Sequence, residues 1–194
     1  MSEPKTARGL RTRDKILKAA ASEFGSKGYH ETGITDITKA AGVALGTFYT
    51  YYKSKEVVFR ALVSHMGELT REWITKRIAG APDRLTAERM GIAAFIEFAR
   101  EHKDLYRIVM EAQFVAKDSY IEYYSVFADS YTRNLAHAAE KGEIRSGHDE
   151  ERAWALIGMS VFLGLKYGVW DESRNPDEIA DAIGDLLENG LGVK

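Results

Sequence analysis

The segment from Ile34 to Tyr52 reads ITDITKAAGVALGTFYTYY, and it predicts two short helices, Ile34–Ala41 and Leu45–Tyr51, joined by a tight turn. Small apolar residues on the facing sides allow the two helices to cross closely. Gly42 is predicted to take the left-handed conformation that ends the first helix. Together these features are the helix-turn-helix pattern, in which the second helix lies in the major groove of DNA.

The second predicted helix carries more hydroxyl groups than a core helix needs. Phe48 and Tyr52 are four residues apart and are predicted to face inward. The other faces carry hydroxyls, on Thr47, Tyr49, Thr50 and Tyr51. Hydroxyls are suitable ligands for phosphate, and threonine methyls contact thymine methyls. The alternative interpretation is a tyrosine-rich packing cluster with solvated hydroxyls.

The rest of the chain is predicted to be helical, so the fold class is all-α. Proline occurs only at Pro4, Pro82 and Pro176, and no segment alternates long enough for a strand. The first ten residues are expected to form a flexible arm, and Thr12 is expected to cap a first helix that ends at Gly28.

Ser54 is expected to cap a long fourth helix that ends before Pro82, near residue 79. Further helices are predicted near residues 84–101, 104–115, 118–141, 150–170 and 176–190.

The formal charge of −2 is an average over two unlike parts of the 194 residues. Residues 1–60 hold 11 Lys and Arg against 6 Asp and Glu, whereas residues 61–194 hold 16 against 23. A basic first third favours a polyanion as partner of that end, although a solvated charge bias without function gives the same count.

Composition also excludes several classes of site. The chain has no cysteine, which excludes disulfides, thiolate zinc sites and cysteine nucleophiles. Its five histidines form no HExxH pair, so no metal site and no cofactor are predicted. The longest uncharged runs, Ala40–Tyr52 and Ala153–Leu165, have 13 residues each, fewer than a membrane span needs. We therefore expect a soluble, cytoplasmic protein without a membrane partner.

Residues 12–60 resemble the DNA-binding domain of the TetR (tetracycline-repressor-like) family of bacterial regulators. The matching stretches are Ile16–Ala20, Phe24, Gly28–Tyr29, Thr32, Ile37, Ala40–Val43, Gly46–Tyr49 and Tyr52–Glu56. The resemblance implies a three-helix DNA-binding head over residues 1–55. It also implies a larger helical domain over residues 56–194 that binds an effector and dimerises.

The resemblance also implies which residues contact DNA. Thr35 and Lys39 would lie near phosphates, and Tyr49, Tyr51 and Lys55 would clamp them. The residues expected to face base edges or the groove wall are Ala44, Leu45, Gly46, Thr47 and Thr50. Gly33 departs from the family, which often has a Ser or Thr cap there. Gly is an acceptable cap, but it has no hydroxyl to offer a phosphate.

The implied effector domain encloses a cavity, and aromatic residues of the second half are candidates to line it. The predicted wall residues are Met110, Phe114, Tyr123, Phe127, Trp154 and Phe162, with Gln113 and His65 as possible polar anchors. Plain core packing is the alternative for most of them.

The last two predicted helices offer a large apolar surface for a two-fold dimer. The predicted interface residues are Trp154, Ile157, Val161, Leu165, Ile179, Ile183, Leu186 and Leu187. The alternative is that these helices only close the core of a single chain.

The sequence therefore predicts a homodimeric, ligand-responsive transcriptional regulator. It would be a repressor released from a palindromic operator by a small apolar or aromatic effector that moves the fourth helix. The alternatives are a helical small-molecule-binding protein without a DNA role, and an enzyme. No catalytic motif is present, and the spacing of Glu97, Glu101 and Glu111 does not require an acid/base site.

Overall fold

The computed structural model describes residues 6–190, and within them it contains nine α-helices and no strand. The helices are α1 (Ala7–Lys27), α2 (Ile34–Ala41), α3 (Leu45–Tyr51), α4 (Lys55–Ile78), α5 (Arg84–Glu101), α6 (Lys103–Val115), α7 (Lys117–Glu140), α8 (Asp149–Gly164) and α9 (Pro176–Asn189). The all-α prediction is confirmed, and α2 and α3 have the predicted bounds.

Three predicted helix ends are confirmed by the local geometry. Gly28 ends α1 with a φ of 87°, and Gly42 ends α2 in the left-handed region, with φ 63° and ψ 38°. The hydroxyl of Ser54 accepts the Val57 N–H at 3.2 Å, which satisfies a free donor at the start of α4.

The start of α1 corrects the sequence prediction. Thr6 is the N-cap, because its hydroxyl accepts the Gly9 N–H at 3.1 Å. Thr12 lies inside the helix, where its hydroxyl donates to the Arg8 carbonyl at 3.0 Å. Residues 7–10, predicted as part of a flexible arm, are therefore helical, and residues 1–5 of that arm lie outside the described residues.

The helix predicted over residues 150–170 also needs a correction. After α8 the chain continues as a π-helix, Leu165–Trp170. Gly164 and Gly168 both pack against α5. A Cβ on Gly164 would lie 2.6 Å from the Phe95 ring, and one on Gly168 would lie 2.6 Å from the Ala99 methyl. No side chain fits at either position.

The chain divides into two compact units. Unit 1 contains Met1–Gly67 and Asp104–Tyr123, and unit 2 contains Glu68–Lys103 and Tyr124–Lys194. Unit 1 thus joins α1, α2 and α3 with the first part of α4, with α6 and with the start of α7. The domain boundary predicted at residue 55 follows chain order and stays a prediction.

Aromatic side chains form the core of unit 1. Phe48 and Tyr52, predicted to face inward, are fully buried. Phe24 of α1 meets Phe59 of α4 edge-on, with 5.2 Å between ring centroids, and stacks on Tyr29 at 5.7 Å. Such pairs add to the free energy of burial and fix the angle between α1 and α4.

The core of unit 2 lies between α5 and α9. Ile92, Ala93 and Ile96 of α5 pack against Ile179 and Ala180 of α9, with Leu163, Tyr167 and Ile183 beside them. Two residues of the predicted dimer interface are buried inside the chain itself, Ile179 with 2% and Ile157 with 7% of its surface exposed. An interface between copies therefore has to rest on other side chains.

One helical stretch of the described residues, Asp149–Trp170, has the length and composition of a membrane span, with a mean hydropathy of 1.3 over 18 residues. Its length is not visible in the uncharged runs of the sequence, because Arg152 and Lys166 interrupt the stretch. Core helices of soluble proteins meet the same criteria, and 28% of this window is buried. Large apolar side chains of the stretch, Trp154, Phe162 and Trp170, are exposed.

Candidate nucleic-acid interface

The turn between α2 and α3 is fixed by backbone hydrogen bonds. The Val43 N–H donates to the Thr38 carbonyl at 3.0 Å, and the Gly42 N–H donates to the Lys39 carbonyl at 3.2 Å. This pair of bonds is the Schellman motif, which needs a left-handed residue where Gly42 stands. The Thr47 N–H then bonds to the Ala44 carbonyl at 2.9 Å and starts α3.

The outer face of α3 is open to solvent. Tyr49 is 49% exposed and Leu45 is 47% exposed, although both are large side chains. Nothing lies within 4 Å of the place where a Cβ of Gly46 would stand, so another surface can approach the backbone there. Ala44 and Thr50 are exposed, and Thr47 and Tyr51 are partly exposed. A folded helix that leaves this face unpacked is available to bind a groove.

The start of α2 shows how the chain compensates for a capping glycine. The Asp36 carboxylate accepts the Gly33 N–H at 2.9 Å, so the end of the helix is closed by its own third residue. Thr35 and Lys39, the two predicted phosphate contacts of α2, are both accessible to solvent.

Lys55 is bonded within unit 1. Its ammonium donates to the carbonyls of Tyr29 at 2.8 Å, Thr32 at 2.9 Å and His30 at 3.4 Å. It also lies 4.4 Å from the centroid of the Tyr29 ring. Three acceptors use all three N–H groups of a lysine. The phosphate contact predicted for Lys55 would require these bonds to rearrange.

A second set of contacts joins α6 to the end of α1, and the sequence did not predict it. The Glu111 carboxylate accepts the Tyr29 N–H at 3.0 Å. The Arg107 guanidinium donates to the carbonyls of Gly25 and Ser26 at 3.1 Å each. A Cβ on Gly25 would overlap the Asp104 side chain. These partners are about 80 positions apart, so no local pattern reveals them.

The residues predicted to line an effector pocket fall into both units. Unit 1 holds His65, Met110, Gln113, Phe114 and Tyr123, and unit 2 holds Phe127, Trp154 and Phe162. Phe114 is 82% exposed and Phe162 is 71% exposed, so both lie on the surface of this chain. The Gln113 side-chain amide donates to the Met110 carbonyl at 3.1 Å. Their part in binding an effector stays a prediction.

Two tyrosines near Tyr123 were missed. Burial raises the pKa of the Tyr106 hydroxyl, and the phenols of Tyr123 and Tyr120 raise it further. The three tyrosines interact within unit 1, Tyr106 from α6 and Tyr120 and Tyr123 from α7. Tyrosines at irregular spacing on two helices give no sequence signal for such a cluster.

Unit 2 contains an open cleft of about 710 Å³. Its walls include apolar side chains of α5, α7, α8 and α9, with Leu85, Leu135, Leu156 and Leu187 among them. None of the eight predicted pocket residues lines it. Glu88, also on its wall, is buried and accepts hydrogen bonds from the Arg84 guanidinium and the Tyr131 hydroxyl. Burial raises the pKa of Tyr131 well above its usual range, and the Glu88 charge adds to this effect.

The exposed side of α8 is an apolar stripe. Trp154, Gly158 and Phe162 are four residues apart, and Val161 and Leu165 lie beside them. A Cβ on Gly158 would meet nothing within 4 Å. Three residues of the predicted dimer interface thus lie on this stripe or beside it, namely Trp154, Val161 and Leu165, and a fourth, Leu186 of α9, is partly exposed. Ile183 packs against the core between α5 and α9, and Leu187 packs against a second buried cluster formed by Leu135, Ala153 and Leu156.

Comparisons with known proteins agree on one family. Residues 16–62 match the model of bacterial regulatory proteins, tetR family. The chain is 32% identical to the uncharacterized HTH-type transcriptional regulator YvdT of Bacillus subtilis, over 93% of this chain and 95% of that protein.

Two solved structures have the same fold. The fatty acid degradation regulator FadR from Bacillus halodurans matches with a TM-score of 0.81 and 21% identity, over 99% of this chain and all of that one. FadR from Bacillus subtilis in complex with stearoyl-CoA matches with a TM-score of 0.79 and 20% identity, over 92% and 99% of the two chains. With its helix-turn-helix and its exposed α3, the chain belongs to the TetR family of bacterial DNA-binding transcriptional regulators.

Proposed function

We propose that this protein is a homodimeric repressor that leaves a palindromic operator when a small apolar effector binds. The observation that carries the proposal is the unpacked outer face of α3, which combines a bare glycine, a threonine and an exposed tyrosine. This face makes no packing contacts within the chain, whereas in the major groove it can contact phosphates and thymine methyls.

The proposed DNA contacts divide into two groups. Ala44, Leu45, Gly46, Thr47 and Thr50 face base edges or the groove wall. Thr35, Lys39, Tyr49 and Tyr51 bind phosphates. Lys55 holds the loop before α2 through its three carbonyl bonds, and it would reach a phosphate only if these bonds rearranged. Without Arg, Asn or Gln on α3, discrimination between bases depends on apolar contact and groove shape.

The proposed dimer uses the apolar stripe of α8. Trp154 and Phe162 are exposed on both sides of Gly158, where the backbone is uncovered. A two-fold axis brings the same stripe of a second copy onto it, and the glycine allows close approach. This arrangement also accounts for the apolar, poorly buried Asp149–Trp170 stretch without a membrane. Two copies would place two α3 helices on successive major grooves.

The proposed effector is an apolar molecule with a long acyl chain or an aromatic group. Support comes from the fold shared with FadR, which is solved with stearoyl-CoA. Effector binding would move α4 and change the distance between the two DNA-binding ends. Coupling of about 1–3 kcal/mol is enough for such a response. As a regulator of a bacterial chromosome, the protein would act in the cytoplasm.

An enzymatic role has less support. Two of the three glutamates considered for acid/base catalysis have other partners. Glu111 bonds to the Tyr29 backbone, and Glu97 pairs with Arg77 at 2.6 Å. We therefore propose no reaction.

A mobility-shift titration on the DNA upstream of the protein's own gene tests the proposal. We expect a shift below about 50 mM salt, where phosphate contacts dominate, and its reversal by an acyl-CoA such as stearoyl-CoA. Coenzyme A without the acyl chain is the matched control. If no DNA is shifted at low salt, the protein is not a DNA-binding repressor of that region.

A further inference from the structure

The open cleft of unit 2 has an aliphatic wall. Its apolar lining comes from four helices and from the loop after α7, and it includes Leu85, Leu135, Ile144, Leu156, Met159 and Leu187. No aromatic side chain lines the cleft within the part of the chain that the structure describes. Its volume of about 710 Å³ lies in the range of small-molecule sites, about 300–1,000 Å³. The wall therefore suits an aliphatic ligand better than a flat aromatic one.

Arg84, the first residue of α5, places a cation on this wall. Its side chain is only 12% exposed, and it donates to the Glu88 carboxylate, which is 3% exposed. The guanidinium carbon lies 5.0 Å from the centroid of the Tyr131 ring. The Arg84 backbone N–H donates to the Glu143 carboxylate at 2.8 Å. These contacts hold the guanidinium in one orientation.

The pairing with Glu88 leaves one edge of the Arg84 guanidinium unused. Of the five N–H donors of an arginine, those that bond to Glu88 come from Nε and Nη2. Among residues 6–190, no acceptor bonds to Nη1. The edge formed by Nη1 and the second N–H of Nη2 is a fork that binds a carboxylate with two parallel hydrogen bonds. A fixed guanidinium with a free fork is thus suited to an anion.

The other charges of the cleft agree with an anionic ligand. Two more arginines line it, Arg145 and Arg152. In the described residues, the nearest carboxylate to either is Asp149, at 3.9 Å from Arg152. The carboxylates on the wall have partners already, because Glu143 accepts a backbone N–H of α5 and Glu188 pairs with a neighbouring arginine at 3.1 Å. The cleft therefore offers unused donors rather than unused acceptors.

We propose that this cleft binds a small aliphatic carboxylate, such as the anion of a medium-chain fatty acid. The carboxylate bonds to the free edge of Arg84, and the alkyl chain packs on the leucine wall. The site is separate from the proposed effector pocket, because none of the eight candidate residues of that pocket lines the cleft. The inference goes beyond the proposed function, since it concerns unit 2 alone and does not require DNA binding.

Isothermal titration calorimetry of the full chain with decanoate tests the proposal. We expect a site with a dissociation constant in the micromolar range, as is usual for a ligand of this size. Decanol is the matched uncharged probe. It should bind at least about tenfold more weakly, because it cannot pair with the fork.

Two variants locate the site. Ala155→Trp fills the cleft from an exposed position of α8 and should abolish this binding. Asn134→Trp, at an exposed position of α7 outside the cleft, is its control. Arg84→Lys keeps a positive charge beside Glu88 but removes the fork, so affinity for decanoate should fall at least about tenfold. Arg133→Lys, at an exposed arginine outside the cleft, should bind as the original protein does.

Absence of decanoate binding to the original protein would overturn the proposal, and so would equal affinity for decanol. Unchanged binding to the Ala155→Trp protein would place the ligand elsewhere and would also overturn it. Thermal unfolding and sedimentation velocity check that this variant keeps its fold and oligomeric state. If it does not, the Arg84→Lys protein decides, and an affinity equal to that of Arg133→Lys would refute the site. None of these measurements involves DNA, so they remain distinct from a failure of the repressor function.

Discussion

Two helices of this chain, α3 and α8, present large exposed side chains, but the chemistry of the two faces differs. The face of α3 combines Tyr49 with hydroxyls and a bare glycine, whereas that of α8 combines Trp154 and Phe162 around a bare glycine. A polar face with hydroxyl groups suits phosphates and water, and an aromatic stripe suits only another apolar surface. The exposed fraction of a side chain therefore does not identify its partner. The chemistry of the exposed atoms does.

The largest effect is expected when a charge is placed on the exposed stripe of α8. Phe162→Asp should convert the dimer to a monomer at micromolar concentration. Operator affinity should fall about 100-fold or more, because linked binding of two heads is lost. Sedimentation velocity and anisotropy measure the two effects. Phe114→Asp, at an 82% exposed phenylalanine of α6, is the matched control and should remain dimeric. A dimeric Phe162→Asp protein would contradict the assignment of α8.

A smaller effect, on the stability of unit 1, is expected from the loss of Lys55, which holds the loop before α2. Lys55→Met removes a charged donor from three backbone carbonyls and should lower the free energy of unfolding by about 2 kcal/mol. The dimer should persist, which separates this effect from that on α8. Urea denaturation measures it, with the exposed Lys53→Met as control. Unchanged stability with a smaller salt slope would instead make Lys55 a phosphate contact.

The contact between α6 and the end of α1 should contribute somewhat less. Glu111→Ala leaves the Tyr29 N–H without its acceptor and should cost about 1.5 kcal/mol of unfolding free energy. Glu111→Gln keeps an acceptor oxygen, so its loss should be about half as large. Urea titration of both variants is the measurement. Equal losses would show that the negative charge, not the hydrogen bond, stabilises the contact.

The finest distinction lies within the face of α3. Tyr49→Phe removes a phosphate ligand and should weaken binding to every operator by about fivefold, or about 1 kcal/mol. Thr47→Ala removes a methyl and a hydroxyl near the bases and should change the order of preference among operators. Anisotropy on a panel of mutated operators decides. Uniform losses for both variants would refute the division of roles.

The two helices of the helix-turn-helix could be placed from the sequence because their determinants are local. The helix ends depend on residues a few positions apart, namely Gly42, Ile37 and the inward pair Phe48 and Tyr52. The start of α1 could not be placed equally well, because Thr6 and Thr12 are both good caps and only the folded chain selects one.

Predictions for α8 and the effector pocket were limited for a different reason. α8 is apolar nearly all round, so its period cannot show which stripe faces the chain's own core. Ile157, predicted for the dimer interface, is buried, and Phe162, predicted for the wall of the effector pocket, is exposed. Contacts such as those of Arg107 and Glu111 could not be predicted because they join distant segments. A charged residue on a helix is expected to be solvated unless its partner is known.

The composition of unit 1 from two separate stretches has a consequence for synthesis. The carbonyls of Gly25 and Ser26 and the Tyr29 N–H find their partners only about 80 residues later in the chain. At about 5–20 residues per second, the ribosome makes Glu111 roughly 4–16 s after Tyr29. The DNA-binding end is thus translated first but completed late. A fragment that stops at Gly67 lacks α6, so it leaves the end of α1 without these bonds.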